Sequence, residues 1–113
     1  MLRTDLKHLE TEEETREALK NGENVVICCG RMGPMCTPVY AVLSKLEPQY
    51  PHVCFYDQDF DIPAAGFIKR LPECVSFMGL PFTVYFKNFK VVAATTSIQN
   101  ADQICKILDK EFG

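Results

Sequence analysis

No Cys-x-x-Cys pair occurs anywhere in these 113 residues, although cysteine is plentiful, at positions 28, 29, 36, 54, 74 and 105. Without such a pair the spacing offers neither a tetrahedral metal framework nor a complete dithiol, and no metal or cofactor is expected. No run or stripe of Lys and Arg appears. With a net charge of -3 and a pI near 5.3, the chain makes no electrostatic case for nucleic acid. No apolar stretch is long enough to span a bilayer, so no membrane partner is expected. The opening residues, Met1-Leu-Arg-Thr-Asp-Leu6, lack the apolar core of a signal peptide, and the cytoplasm is the expected compartment. Internal repeats, low-complexity segments and linkers are missing too, which points to one domain over residues 1–113. What is present is an ordinary globular composition. Apolar residues make up 47% of the chain, enough for one modest core that buries roughly two-thirds of the unfolded surface. In a reducing cytosol the cysteines read as buried small hydrophobes or as thiols kept for chemistry.

Thr11-Glu-Glu-Glu14 is a capping-box opening, and the helix it starts is expected to run to Lys20 and stop at Asn21-Gly22. Its acidic triplet reads as favourable first-turn charge. Val25 to Cys29 is a continuous apolar run, the mark of a strand buried on both faces. Val39, Val42, Leu43, Leu46 and Tyr50 then fall at helical spacing, with Pro48 and Pro51 closing that helix. Val53–Tyr56 reads as a second strand, with Asp57, Asp59 and Asp61 following as it leaves the core. A short helix over Ala64–Arg70 comes next. Phe82–Lys87 and Val91–Thr95 form an antiparallel hairpin, and a last helix spans Ala101–Glu111. Phe89 is a poor residue for the positive φ that tight hairpins favour, which leaves the turn type open. With a short first strand near Leu6, the order predicts an α/β domain: a central mixed β-sheet with helices on both faces. Cys28, Cys54 and Cys105 are expected in the core, Cys74 in an exposed loop, and His8 and His52 on the surface.

Two stretches resemble the thioredoxin family. Gly79-Leu-Pro-Phe-Thr-Val-Tyr-Phe-Lys-Asn88 is similar to the family's Gly-Ile-Pro-Thr segment with its following strand and Phe-Lys-Asn. Gly33-Pro-Met-Cys-Thr-Pro-Val39 follows a buried strand and precedes a helix, as the family's redox loop does. Together with the element order, the likeness covers nearly the whole chain. It implies a thioredoxin-like fold, thiol–disulfide chemistry on protein or peptide substrates, and a cis bond before Pro81 beside the redox loop. Proline is in any case an unusual opening for a sheet strand, since it cannot donate to the ladder. The stretch from Pro63 to Pro81 is longer than the family's usual one, which Leu71-Pro-Glu-Cys74 would absorb as an extended loop.

The loop matches the family pattern in two registers. In the first, Met32-Gly33-Pro34-Met35 replaces Cys-Gly-Pro-Cys, and two thioethers that neither ionise nor pair make the domain redox-dead. In the second, Cys36-Thr37-Pro38-Val39 is the site, with a nucleophilic Cys36, Val39 in place of the resolving thiol and Met35 where the family carries Trp. A helix starting at Pro34 would place Pro38 in its fifth position, at a cost of about 3 kcal/mol. A helix starting at Pro38 gives that proline the favoured first position, with Thr37 as N-cap and Cys36 just ahead of the positive end of the dipole. The second register is preferred on that ground.

Under it, Cys36 would attack a disulfide and remain in a mixed disulfide that Val39 cannot release. Turnover would then call on glutathione, a thioredoxin-reductase-like protein or another thiol of the chain, with Cys29 the best internal candidate. Pro81, Met35, Pro38 and Leu80 would bind the substrate. Cys28, Cys29 and Cys36 lack the spacing of a metal site. The family's buried Asp beneath the loop has no counterpart on the strand Val25–Cys29, and Asp57, Asp59 and Asp61 start too far along the next strand to be assigned its role. If Cys36 is inert instead, the domain is a protein-binding module. The resemblance then implies an extended-peptide groove beside Pro81, lined by Met32, Met35, Val39, Leu80 and Phe82.

Overall fold

The computed structural model describes residues 2–113. Five strands form one mixed sheet in the order β1-β3-β2-β4-β5. β1 (Lys7–His8), β2 (Asn24–Gly30) and β3 (Cys54–Asp59) run parallel, whereas β4 (Phe82–Lys87) is antiparallel to β2 and β5 (Lys90–Thr96) is antiparallel to β4. Among the described residues, four α-helices accompany the sheet: α1 (Glu12–Asn21), α2 (Thr37–Leu46), α3 (Gly66–Lys69) and α4 (Ala101–Phe112).

The central strand β2 is buried along its whole length, as an apolar run lacking alternation requires. Its successive side chains feed two cores, because strand side chains alternate between faces. Val26 and Cys28 join Val39, Leu43, Ile104 and Leu108 beneath α2 and α4. Val25, Ile27 and Cys29 join Leu19, Ala65, Ile68 and Phe82 beneath α1 and α3. At the N-terminus of α1, Thr11 Oγ1 accepts the Glu14 amide and Glu14 Oε1 accepts the Thr11 amide, both at 3.0 Å. Asn100 and Gln103 do the same for α4. Each box satisfies two amides that a helix start leaves without partners.

Several boundaries differ from the sequence expectation. β3 continues to Asp59, because Asp57 and Gln58 are buried with polar partners instead of leaving the core. α3 is confined to Gly66–Lys69, preceded by a 3-10 turn at Pro63–Ala65. The β4–β5 turn places both Asn88 (φ 51°) and Phe89 (φ 70°) in the left-handed region. A two-residue connection must match the right-handed twist of its strands, and that requirement overrides the reluctance of Phe89. Between α3 and β4, residues 70–81 form a succession of turns that return to the sheet through Cys74, Phe77 and Leu80.

Candidate functional site

The site lies where β2 ends and the chain turns into α2. Gly30 closes β2, and its carbonyl accepts the Phe60 amide at 2.8 Å. Arg31 and Met32 lead to Gly33, whose carbonyl collects the amides of Cys36 (3.2 Å) and Thr37 (2.9 Å) and the Thr37 hydroxyl (2.8 Å). The chain is therefore already helically wound at Cys36, which is the N-cap of α2. Thr37 is the first helical residue and Pro38 the second, one place later than the sequence suggested. Pro38 is tolerated there because the first four amides of a helix have no intrahelical partner in any case.

Winding the loop in this way sends the thioethers outward and the thiol inward. Met32 and Met35 are 41% and 45% exposed, whereas Cys36 is 3% exposed. The Cys36 side chain packs with Val26, Cys28, Val39 and Tyr40, and its Sγ accepts the Arg31 amide at 3.4 Å. The structure does not bring Cys29 to it. Cys29 is fully buried on the opposite face of the sheet, among Ala65, Ile68, Cys74 and Phe82, and burial pushes its thiol up to about 12. Burial raises Cys28 as well, despite a 3.6 Å contact from the Thr83 hydroxyl. All six cysteines are free.

Two cysteine placements reverse the expectation. Cys74 is buried, tucked beneath the turn that its own amide closes onto the Leu71 carbonyl at 2.8 Å, and its thiol is pushed up to about 11 by burial. Cys54, at the start of β3, is exposed. Among the described residues, no cluster of three or more His, Cys, Asp or Glu side chains is arranged to hold a metal.

Pro81 stands beside the loop base: a Cβ on Gly30 would lie 3.0 Å from Pro81 Cβ. The Leu80–Pro81 peptide is cis, and the Pro81 carbonyl accepts the Ser97 amide at 3.1 Å. Leu80 is half-buried and bridges both cores, while Val39 and Phe82 are buried core residues. Exposed apolar side chains include Met32 and Met35 in the loop, Val75 and Met78 in the segment before Pro81, and Ile98 just after β5. Arg31, which precedes the loop, forms a two-pronged ion pair with Asp61 (2.8–3.1 Å) and lies over the Phe60 ring.

Asp57, set aside on its position in the sequence as too far along its strand, is buried beneath this end of the sheet. It is fully buried on β3, paired in register with Cys28, and its carboxylate is held by the Thr4 hydroxyl and by His8 Nδ1 at 2.7 Å. His8 is thus a partner of a buried carboxylate and not a free surface residue. The signal was available, since Asp57 lies two residues from Phe55 and therefore on the same, core-facing side of the strand. A carboxylate does sit beneath this end of the sheet, on the strand next to β2. Beside it, Leu2, His8, Leu9, Ile62 and Pro63 line a cavity of about 370 Å³.

Burial holds the Asp57 carboxyl above the usual carboxylate range, with the Thr4 and His8 hydrogen bonds opposing the shift. The folded state therefore keeps this proton to a higher pH than the unfolded chain does. Stability from this residue falls as pH rises from the ordinary carboxylate pKa through the raised one. Asp57→Asn is expected to gain stability relative to the parent as pH increases from 4 to 8. Calorimetric melting at each pH checks this, and a difference that is constant or shrinks with pH contradicts it.

Neither a family model nor a curated relative matches this sequence. Solved structures do match, over nearly the whole chain. Mitochondrial thioredoxin 3 of Saccharomyces cerevisiae is 24% identical, covering 93% of this chain and 94% of that one, with a TM-score of 0.75. Thioredoxin O2 of Arabidopsis thaliana is 19% identical, covering 99% and 98%, at 0.77. The thioredoxin of Malassezia sympodialis is 17% identical, covering 100% and 96%, also at 0.77. The chain has the thioredoxin fold, an α/β architecture with a five-stranded mixed sheet between helices. Within that fold its loop carries two exposed methionines and an internal cysteine.

Proposed function

We propose that this thioredoxin-fold chain is a redox-inactive protein-binding module that takes extended, apolar polypeptide segments against Met32, Met35, Leu80 and Pro81. One observation carries the reading. At the tip of the loop the accessible sulfurs belong to thioethers, while Cys36 is 3% exposed and fills the core. A thioether neither forms a thiolate nor enters disulfide exchange. Methionine is flexible and polarisable, which suits a surface that accepts varied apolar segments. The proposal treats the chain as one domain in a reducing setting, the cytoplasm, where its six cysteines remain thiols.

A second reading keeps Cys36 as a single nucleophile exchanging with protein or peptide disulfides, with glutathione or a thioredoxin-reductase-like enzyme as the external reductant. It is supported by the position of Cys36 at the N-cap of α2 and by the Arg31 amide directed at its Sγ. Peptides selected from a random library on the folded protein test the first reading. They are expected to be apolar and to bind the Met32→Glu/Met35→Glu variant at least about tenfold more weakly, a loss of about 1.4 kcal/mol. Equal binding to parent and variant overturns it. Alkylation followed cysteine by cysteine tests the second, which requires Cys36 to modify faster than Cys105 at pH 6–7.

A further inference from the structure

All the methionines among the described residues are exposed, and all lie at one end of the sheet. Met32 and Met35 flank Gly33-Pro34 and are about two-fifths exposed, while Met78 is 96% exposed. The sheet register places them there, since the hydroxyl of Thr96, opposite Phe82 on β5, donates to the carbonyl of Gly79, the residue after Met78, and Phe82 itself lies opposite Cys29 at the end of β2. Met32 follows Gly30 by two residues and Met78 precedes Pro81 by three, spans of at most about 11 Å. Gly30 and Pro81 are themselves in contact range. Methionine is ordinarily among the more buried residue types, so three outward thioethers at one end of a sheet are unusual. They are also accessible to oxidants in a way most of the thiols are not. Cys28, Cys29, Cys36 and Cys74 are buried, which leaves Cys54 exposed and Cys105 partly so.

We propose that Met32, Met35 and Met78 form a reversible oxidation switch on the apolar surface, with hydrogen peroxide or a related two-electron oxidant as its substrate. Each thioether sulfur attacks one peroxide oxygen with its lone pair. The S–O bond forms as the O–O bond breaks, sulfur is oxidised to the sulfoxide, and the departing hydroxide takes the remaining proton to leave as water. A sulfoxide is polar and accepts strong hydrogen bonds, so the change turns an apolar surface into a wet one. Methionine sulfoxide reductases, drawing two electrons from a dithiol, restore the thioether. Met32 has a built-in difference from the others, because its Sδ already accepts the Arg3 amide at 3.4 Å. Exposure and this contact set the expected order of reaction as Met78, then Met35, then Met32. Release of a bound segment on oxidation rests on the binding function proposed above; the oxidation itself does not.

The experiment treats the intact protein with dilute peroxide at pH 5. There a thiol of ordinary pKa, about 8.5, is less than roughly one-thousandth thiolate, while the thioether needs no deprotonation. Peptide mapping is expected to show one oxygen added at each of the three methionines. Met78 should react within about threefold of the rate of free methionine. Native retention on a hydrophobic-interaction column should fall, with near-ultraviolet circular dichroism unchanged. Reductases with dithiothreitol should return the retention.

The triple variant Met32→Leu/Met35→Leu/Met78→Leu keeps side-chain size and should hold its retention in peroxide. Oxidation of Met35 or Met78 more than about tenfold slower than free methionine overturns the switch, as does unchanged retention, failure of the reductases, or a changed circular dichroism spectrum. The library-selected peptides separate the two proposals. Binding that survives full oxidation removes the switch and leaves the binding site. An absence of any binding peptide removes the binding function, while loss of retention on oxidation still supports the switch.

Discussion

Met32→Cys/Met35→Cys is expected to create a disulfide reductase, and Val39→Cys is expected not to. The two variants complete the two candidate dithiols, Cys-Gly-Pro-Cys at residues 32–35 and Cys-Thr-Pro-Cys at residues 36–39. The difference follows from where the sulfurs would stand. Positions 32 and 35 are exposed, whereas Val39 is fully buried and Cys36 nearly so. Two thiols beneath α2 would have no access to a protein disulfide. In the outer pair a lowered pKa speeds the first attack only a few-fold, because nucleophilicity falls with basicity. Most of the gain comes from the second thiol, which makes release intramolecular. Effective molarities for well-oriented groups reach the order of 10⁵ M. In an insulin-reduction assay with dithiothreitol, the outer pair should exceed the parent by at least about a hundredfold, roughly 2.7 kcal/mol in activation energy. Turnover by Val39→Cys with none by the outer pair would make Cys36 the active position and overturn the module reading.

The sequence was most informative where one physical requirement dominated. The unbroken run Val25–Cys29 reads as a central strand because both faces must be apolar, and the structure buries every residue of β2. The capping box at Thr11 obeys local chemistry and depends on no distant partner. The helix start at the loop was less legible. The chemistry of Pro38 allows either of the first two helical positions, and the Gly33 carbonyl, a tertiary detail of the turn, decides between them. The pairing of Asp57 with His8 was not legible for a related reason. The two lie 49 residues apart, and only the parallel register of β1 on β3 places His8 beside Asp57. Cys54 and Cys74 changed places because a cysteine is small enough to suit either setting, so its surroundings determine its burial.

Gly30→Ala is expected to destabilise the protein by about 3 kcal/mol, the upper part of the range for overpacking a tight site. The added Cβ would stand 2.8 Å from Cys36 Sγ, 2.8 Å from Tyr40 Oη and 3.0 Å from Pro81 Cβ. None of these neighbours yields easily. Tyr40 Oη donates to the Arg31 carbonyl at 3.1 Å, Cys36 sits in the core at the N-cap of α2, and the Pro81 ring is rigid. A loss of this size lowers the melting temperature of a domain this small by roughly 10–20 °C. Gly33→Ala, only three residues away, is the control. A Cβ there meets nothing within 4 Å, and its backbone is outside the left-handed region. That variant is expected to be neutral or to gain up to about 1 kcal/mol through the unfolded chain's lost freedom. The contrast bears on the loop as well as on stability. Gly30 is where β2, the buried Cys36 and Pro81 converge, so a displacement there should also shift the Met32 and Met35 methyl resonances, while Gly33→Ala should leave Cys36 as protected from alkylation as before. Equal melting temperatures for the two variants would mean that Cys36 does not pack against Gly30, and the internal placement of its sulfur would fall with that contact.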